Sequence, residues 1–453
     1  MTRISVLSGV LFFLLTISST TMASDILNLN ESINIALERS LSVHSAEEGI
    51  RAREFEEKSS KADFYPKLST SYSYTRLDNS TVNDAEYTLY SWDPDSNAHF
   101  PLNFSPADTN SYQFNITATQ PIFTGWSLSI TRQLASLGVD IAKIQKAKVI
   151  QDLVLNVKEA YFGILKAKKL KNVALQAVEQ LKAHLRVSNA FYEEGIIAKN
   201  DLLETEVQMA QAQQNLIRVS NRLEIAHSLF NTLLRIDFKK KVSIEDILDY
   251  HPADITLDLC IERAGQYRPE ITEMLLNVES AEKAVKLNKS TYYPEIALIG
   301  NYQRGTNGIL LDSKAGEDPD NWTITLQAEW TFWEWGKKKY NVAAAKADLA
   351  STSYLLQELK DNIRLEVKDA YLFLREAEKN IQVTRTAIAQ AEENFRINEE
   401  RYKQQVATST DVLDAQTLLT RARSNYFNAL SDYNISWAKL EKAMGIIHKG
   451  DIG

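Results

Sequence analysis

Two copies of one pattern follow each other along this chain of 453 residues, and this duplication constrains the fold more than any other feature. When the sequence is shifted by 210 residues, 157–161 (VKEAY) aligns with 367–371 (VKDAY). Upstream the offset is 228 residues, and 64–66 (FYP) aligns with 292–294 (YYP). The difference between the offsets is an insertion of 18 residues within 66–121 of the first copy. Because both flanks keep their register, the insertion is expected in a loop and the copies should fold alike.

Long tracts without proline predict very long helices in each copy. No proline occurs within 122–251 or after residue 319, and proline breaks the interior of a helix. Apolar residues repeat every seven positions along 336–402, in two seams four residues apart, which is typical of helices that supercoil around neighbours. A helix of that tract would be about 100 Å long. The predicted long helices cover about 126–191 and 336–402, and the predicted return helices cover about 201–235 and 411–444.

Four segments alternate between apolar and polar side chains, which predicts β-strands. From Trp322 to Phe332 the even positions are apolar, and the odd positions carry only Thr, Gln and Glu329. The segments form two predicted hairpins, about 67–123 and about 295–333. One apolar and one polar face suit a barrel wall with lipid outside and water inside. A soluble sheet with one buried face is the alternative interpretation.

Four strands are too few to close a membrane barrel. The smallest bacterial barrels have about eight strands, and open sheet edges are not tolerated in lipid. Several copies of the chain would therefore have to share one barrel. Two copies would supply eight strands and three would supply twelve, and the residues alone favour neither number.

The N-terminal residues predict export from the cytoplasm. Residues 1–23 have the pattern of a signal peptide, with Arg3, an apolar stretch over 4–17 and the small residues Thr21 and Ala23 at the third and first positions before the cleavage site. No later segment reaches the roughly 18 apolar residues of a membrane-spanning helix. Cys260 is the only cysteine, so no intrachain disulfide is expected. The formal net charge of −8 argues against nucleic acid as a partner.

The sequence carries no pattern typical of an enzyme. The six histidines do not pair at the spacing of metal ligands, and no glycine-rich phosphate loop is present. We therefore expect no catalytic residues, no metal site and no cofactor.

Short motifs at corresponding places of the two copies make the chain resemble the TolC family of outer-membrane efflux proteins, the outer membrane factors. A Tyr-Pro pair precedes the first strand of each copy. The strand-to-helix junctions read PIFTGW over 121–126 and FWEWG over 332–336, and 411–415 reads DVLDA. The resemblance covers essentially the whole mature chain, and its strength lies in the order, spacing and duplication of these motifs.

The resemblance implies an α+β membrane protein of the TolC-like duct class. Four β-strands per chain would join a shared twelve-stranded barrel of a homotrimer, and long coiled-coil helices would form an α-barrel through the periplasm. The predicted organisation is a signal peptide (1–23), a first repeat (24–236), an equatorial linker (237–256), a second repeat (257–446) and a C-terminal tail (447–453). Short helices near 29–39 and 257–267 would lie beside the linker.

The resemblance also implies a location and a set of partners. The protein would lie in the outer membrane of a Gram-negative bacterium, in contact with its lipid, with a large periplasmic part. It would be the passive channel of a tripartite efflux or type I secretion system, with a periplasmic adaptor (membrane fusion) protein and an inner-membrane transporter as partners. The alternative function is a soluble periplasmic coiled-coil adaptor or scaffold, which would explain the helices but not the strands.

Acidic residues at the helix-to-helix turns are the first candidates for a site. Asp411 and Asp414 match the family's Asp-x-x-Asp at the narrowest point of the tunnel, and six such carboxylates in a trimer would attract cations. A second interpretation makes Asp411 an N-cap and Asp414 a first-turn acid favoured by the helix dipole. Both interpretations are compatible. For Asp201 and Glu204 of the first copy, capping is the preferred interpretation.

Three further positions complete the candidate set. Tyr402 matches a family tyrosine that helps to hold the tip closed, although a tyrosine in a heptad seam also packs by default. The family arginine five residues beyond it is Ala407 here, which puts the same latch in doubt. Gly195 suits a left-handed turn and its counterpart Gln405 does not, so the two turns are expected to differ. Glu329 is expected on the lumen face of its strand, where it would tune selectivity or be solvated.

Overall fold

A computed structural model describes residues 26–76, 87–90, 99–102, 110–252, 254–306, 309, 311 and 320–447. The predicted signal peptide (1–23) lies outside the described residues. So do most of residues 79–110 and 310–321, which lie between the strands of the two predicted hairpins, and residues 448–453 of the predicted tail.

The described residues form eight helices and six strands. In chain order these are α1 (Leu29–Arg39), α2 (Leu41–Ala62), β1 (Lys67–Arg76), β2 (Tyr87–Tyr90), β3 (His99–Leu102), β4 (Asn110–Thr124), α3 (Ser127–Glu193), α4 (Lys199–Leu233), α5 (Leu257–Tyr267), α6 (Pro269–Ser290), β5 (Glu295–Thr306), β6 (Asp320–Glu329), α7 (Lys337–Lys403) and α8 (Ser409–Ala443). None of these helices is long and apolar enough to cross a membrane.

The predicted duplication and the predicted long helices are confirmed. Helices α3 and α7 have 67 residues each, and α4 and α8 have 35 each. Their first and last residues differ by 210 between the copies, while those of α1 and α5 and of α2 and α6 differ by 228. The return helices begin at Lys199 and Ser409, two residues before the predicted starts.

The chain divides into two compact units, and the first contains residues 1–41, 150–264 and 366–453. Its core consists of apolar side chains from four long helices, because the heptad seams turn inward. The fully buried side chains include Val157, Leu165, Phe230, Leu374, Leu419 and Leu440. Buried Tyr161 places its hydroxyl 3.2 Å from the carbonyl oxygen of Leu27 and 2.9 Å from that of Glu245. Leu27 also bridges Ile244, so the N-terminal segment and the linker meet here.

The linker between the copies is fixed to α7 by side-chain hydrogen bonds within the same unit. Arg375 donates to the carbonyl oxygen of Ile255 at 3.0 Å. The hydroxyl of Tyr250 donates to the carboxylate of Glu378 at 2.7 Å. These bonds give residues 244–252 and 254–256, which have little regular structure, a defined course.

The second unit contains residues 42–149 and 265–365 and carries a four-stranded antiparallel sheet in the order β1-β4-β5-β6. Alternation gives this sheet two different faces, since partners in the register share a face. One face carries exposed apolar residues such as Leu68, Tyr72, Trp322, Ile324 and Leu326. The opposite face is mainly Ser, Thr, Asn and Gln. Strands β1 and β6 each have a single strand neighbour among the described residues.

The inserted segment contains a hairpin that the sequence did not predict. Strands β2 and β3 pair in antiparallel fashion, with Tyr87 opposite Leu102 and Tyr90 opposite His99. Each has only four residues, which is too short to reveal alternation in a segment rich in Asp, Asn, Ser and Pro. The elements on both sides of the insertion stay aligned with their counterparts in the second copy, as expected. The insertion itself contains two short strands, β2 and β3.

Candidate functional site at the helix turns

Each pair of long helices is joined by a turn of the same conformation. Gly195 and its counterpart Gln405 both have positive φ, 71° and 62°. The N–H of Ile196 donates to the carbonyl oxygen of Phe191, and the N–H of Val406 donates to that of Arg401, both at 2.8 Å. The expectation that the turns differ is therefore wrong. The paired bonds that end the helix hold Gln405 in the left-handed region although it lacks the freedom of glycine.

The start of α8 is closed by a capping box. The N–H of Asp411 donates to the Thr408 hydroxyl at 3.2 Å, and the N–H of Thr408 donates to the Asp411 carboxylate at 2.9 Å. Thr408 is thus the N-cap and Asp411 is the third helical residue, so the interpretation of Asp411 as the N-cap and Asp414 as the first-turn acid is wrong. These bonds from Thr408 lower the pKa of Asp411. Asp414 lies exposed three residues later on the same helix face.

The start of α4 lacks such a cap. Ala198 occupies the N-cap position without a side-chain hydrogen bond, and Asp201 is the first-turn acid. Asp201 accepts from the Asn200 amide at 2.9 Å instead. The capping interpretation of Asp201 and Glu204 is therefore wrong, although the place of Asp201 still suits the helix dipole. The carboxylate of Glu204 accepts from the hydroxyl of Thr410 at 3.2 Å, which joins the starts of α4 and α8.

Tyr402 is packed inside the first unit at the end of α7. Its side chain is 3% exposed. Its hydroxyl lies 3.0 Å from the Ser188 hydroxyl, and its ring centroid lies 4.7 Å from that of His184 and 5.4 Å from that of Phe191. All three partners belong to α3 of the same chain. Tyr402 therefore packs against α3, as expected of a residue in a heptad seam. Its role as a latch stays a prediction.

A chain of buried hydrogen bonds crosses the unit beside Tyr402. The Thr205 hydroxyl donates to the carbonyl oxygen of Asp201 at 3.0 Å. Since a hydroxyl has one proton, the Ser409 hydroxyl must donate to Thr205, at 3.0 Å. By the same reasoning, His184 donates from Nε2 to Ser409, at 2.9 Å. The chain therefore links α3, α8 and α4 and fixes the tautomer of a neutral His184.

Burial sets the charge state of this histidine. His184 is 7% exposed, and burial lowers its pKa from 6.5 to about 4. The imidazole is therefore neutral near neutral pH. Protonation would place an unpaired charge among the buried hydroxyls of Ser188, Thr205 and Ser409, which is costly.

Sequence reasoning missed these polar residues in the core of the turn region. His184 and Ser188 are four residues apart on α3 and therefore lie on one helix face. Buried polar groups need partners, so two polar residues inside an apolar seam could have signalled a network. The partners on α4 and α8 are not evident from the sequence, because the pairing of the four helices is a tertiary property.

The candidate residues do not all come together. Asp201, Glu204, Gly195, Tyr402, Asp411 and Asp414 lie in the first unit, around the two turns. Glu329 lies in the sheet of the second unit, opposite Glu295 in the register. It shares the polar face with Gln327 and Thr325, as expected of its position in the strand. No cluster of acidic, histidine or cysteine side chains suited to a metal ion occurs among the described residues.

The family relationship follows from the sequence match over both copies. The family model described as outer membrane efflux protein matches residues 32–233 and 260–446. The chain belongs to the outer membrane efflux protein family. Membership explains the duplicated order of short helices, strands and long helices, and it places the protein in the outer membrane of a Gram-negative bacterium, with a large helical part in the periplasm.

The named relatives of this outer membrane efflux protein are distant in sequence, and a solved outer membrane channel is similar to it in fold. Outer membrane protein TolC of Vibrio cholerae is 22% identical over 317 residues, which are 69% of this chain and 72% of the relative. The alkaline protease secretion protein AprF of Pseudomonas aeruginosa is 21% identical, over 76% of this chain and 72% of the relative. The crystal structure of the Campylobacter jejuni CmeC outer membrane channel has a TM-score of 0.76 at 16% identity, and it covers 94% of this chain and 87% of that one.

Proposed function

We propose that this chain is one of three identical subunits of a passive duct, which an inner-membrane transporter and a periplasmic adaptor use to export material across the outer membrane. The coarser function, an outer-membrane channel of efflux or type I secretion, follows from the family and from relatives such as TolC and AprF. The trimer, the adaptor, the contact with lipid and the roles of single residues are proposals.

The observation that carries the proposal is the incomplete sheet. Strands β1 and β6 are ten residues long, and each has one free edge within the described part of the chain. Long free edges invite pairing with another chain. Pairing β1 of one copy with β6 of the next would remove both edges. Three copies would supply twelve strands, which is the number that the resemblance implies.

The two faces of the sheet support a membrane position for that barrel. Trp322, Ile324 and Leu326 are 71%, 68% and 69% exposed in the single chain. Lipid is the solvent that such a face requires, whereas the Ser, Thr and Gln of the opposite face suit water in a channel. A soluble scaffold would leave this apolar face in water, so the faces argue against that alternative.

The long helices also carry apolar surface that the single chain leaves uncovered. On α4, the exposed residues Val207, Ile217, Ile225 and Leu229 range from 55% to 67% exposure. Extended apolar patches of this kind mark association surfaces. Neighbouring subunits of the α-barrel, or helices of the adaptor, are the proposed occupants.

At the turns, we assign Asp411 and Asp414 to a ring of carboxylates around the periplasmic entrance. Asp411 stays ionised because its bonds with Thr408 lower its pKa, and Asp414 is exposed beside it. The capping bonds use one oxygen of Asp411, Oδ2. The other oxygen can face the lumen, so capping and ion selection are compatible roles.

The proposal is tested by fractionation and by conductance in planar bilayers. The full chain expressed in a Gram-negative host should fractionate with the outer membrane, and the purified protein should form stable ion-conducting pores. Recovery in the soluble periplasmic fraction without pore activity would contradict it. A variant with Pro introduced in both edge strands, Ser71→Pro and Thr325→Pro, should lose pore activity, because proline cannot donate to a strand neighbour.

A further inference from the structure

We propose that the strand-to-helix junction of the second repeat, residues 330–340, binds the head group of an acidic phospholipid in the leaflet that faces the periplasm. The inference rests on the proposed outer-membrane duct. It goes beyond that function, because it gives one junction of the chain a preference for a lipid class that the other junction lacks.

Exposed aromatic rings form the apolar part of this junction. Phe332, Trp333 and Trp335 are 77%, 66% and 87% exposed. The rings of Trp333 and Trp335 meet edge to face, with centroids 5.8 Å apart. The indole N–H of Trp330 donates to the carbonyl oxygen of Tyr292 at 3.1 Å. Aromatic side chains with a polar edge favour the boundary between acyl chains and head groups.

Three consecutive lysines follow these rings directly. Lys337, Lys338 and Lys339 occupy the first turn of α7, which contains no acidic residue. Cations at a helix N-terminus are opposed by the helix dipole, so the arrangement is unfavourable without an external anion. The phosphate of a lipid head group would supply such an anion beside the lysines and the N-terminal N–H groups.

The charges near the lysines leave the aromatic side of the junction positive. Lys337 lies 3.6 Å from Glu334 and remains 69% exposed, and the ammonium group of Lys338 donates to the carbonyl oxygen of Thr331. Glu329 and Glu295 face each other on the polar face of the sheet, opposite the face of Leu326. Within 330–340, Glu334 is the only acidic residue.

The first repeat supplies an internal contrast. Its residues at the positions of the three lysines are Ser127, Leu128 and Ser129. Its tryptophan, Trp126, packs edge to face on Tyr293 with centroids 4.9 Å apart and is less exposed than Trp335. The backbone turn is shared, with Gly125 and Trp126 at φ 61° and 68° and Trp335 and Gly336 at φ 50° and 87°. The repeats thus share the turn and differ in the cationic surface.

The test compares lipid binding by the full-length protein and by a repeat-swapped variant. Phosphatidylglycerol and phosphatidylcholine with the same acyl chains are titrated into the detergent-solubilised protein, and bound lipid is counted by native mass spectrometry. The wild-type protein should prefer phosphatidylglycerol. The variant K337S/K338L/K339S installs residues that the first repeat already uses at this turn, and its affinity should fall about fivefold for each lysine removed.

A matched control removes a different lysine triplet. Lys239, Lys240 and Lys241 lie in the linker of the other unit, and K239S/K240S/K241S makes the same change in charge. This control should keep the lipid preference of the wild-type protein. The reverse variant, S127K/L128K/S129K, should gain affinity for phosphatidylglycerol.

The possible results distinguish a failure of the lipid site from a failure of the proposed duct function. Equal affinity for the two lipids, an unchanged K337S/K338L/K339S variant, or equal losses in both lysine variants would overturn the lipid site. So would full competition by glycerol phosphate, since that result would make the junction a site for soluble anions. Pore conductance of the same samples reports the duct alone and should be retained by the variant. A pore without lipid preference therefore refutes only this inference.

Discussion

At the scale of single residues, the two helix turns differ in their caps and not in their backbone. Thr408 closes α8 with a capping box, whereas Ala198 leaves the same position of α4 without a side-chain bond. Both first turns carry an aspartate at the third position, Asp411 and Asp201. Thr408 carries a hydroxyl that Ala198 lacks, and only the aspartate of the capped helix, Asp411, is bonded to the backbone of its N-cap.

The first prediction exchanges the caps. Thr408→Ala should destabilise the start of α8 by about 1 kcal/mol, and Ala198→Thr should stabilise the start of α4 by a similar amount. Hydrogen exchange followed by mass spectrometry should report the first as an increase of about fivefold in the exchange of the first-turn amides of α8. The second should slow exchange in α4. Identical exchange in both variants and the wild-type protein would contradict the assigned caps.

Sequence reasoning placed these turns but misjudged their detail. The aspartates and the turn glycine are recognisable in the sequence by residue type and spacing, and they locate the turn region. Aspartate is a favoured N-cap, which predicts Asp411 at that position, but Thr408 is also a favoured cap and lies three residues earlier. The preference of glutamine for negative φ predicts a different turn at Gln405, but the hydrogen bonds that end α7 hold this residue at positive φ.

At the scale of elements, the helix bounds follow closely from the duplication. Two offsets align every helix of one copy with its counterpart, and heptad seams such as Val367, Leu374 and Ile381 identify the buried face. The offsets do not predict which helices contact each other. The contacts of His184 with Ser409 and of Arg423 with both Glu392 and Gln176 join different helices, and only tertiary structure brings them together.

The second prediction concerns the pH dependence of the turn region. The pKa of His184 is about 4 in the folded state and 6.5 is its ordinary value, so between these values the unfolded state binds more protons. Stability from this group is complete above pH 6.5 and is lost as pH falls toward 4, on the order of 3 kcal/mol in total.

Circular dichroism melting between pH 7 and 4.5 measures this loss. His184→Gln removes the titrating group and retains an amide donor toward Ser409, so its melting temperature should fall less with acidification. Burial also lowers the pKa of His227. The matched variant His227→Gln measures the contribution of His227 to the loss of stability at low pH. Parallel pH profiles for the wild-type protein and His184→Gln would show that His184 does not carry the effect.

At the scale of the whole molecule, the sequence predicts that copies share a barrel but not how many. Alternation in the strands and the shortage of strands are local facts and can be read directly from the residues. The number of copies depends on how one edge strand meets the next and on how apolar stripes such as that of α4 pack, which no single-chain pattern specifies. The number of three copies comes from the family resemblance.

The third prediction concerns ion preference of the assembled duct. The double variant Asp411→Ala and Asp414→Ala removes six carboxylates from a trimeric entrance, and the cation-to-anion permeability ratio should fall toward unity. Reversal potentials across a salt gradient in planar bilayers measure this ratio. A control with Glu358→Ala and Asp361→Ala removes the same charge from exposed positions on α7 and should change the ratio less. Equal effects of the two double variants would remove the turns from ion selection.

The central claim is that the sheet of one chain is completed by other copies of the same chain. Native mass spectrometry of the complex extracted from the outer membrane in mild detergent counts those copies directly. The account predicts a mass of three mature chains, and it predicts that Ser71→Pro with Thr325→Pro shifts the protein toward single chains. A wild-type complex of one or two chains would contradict the twelve-stranded duct.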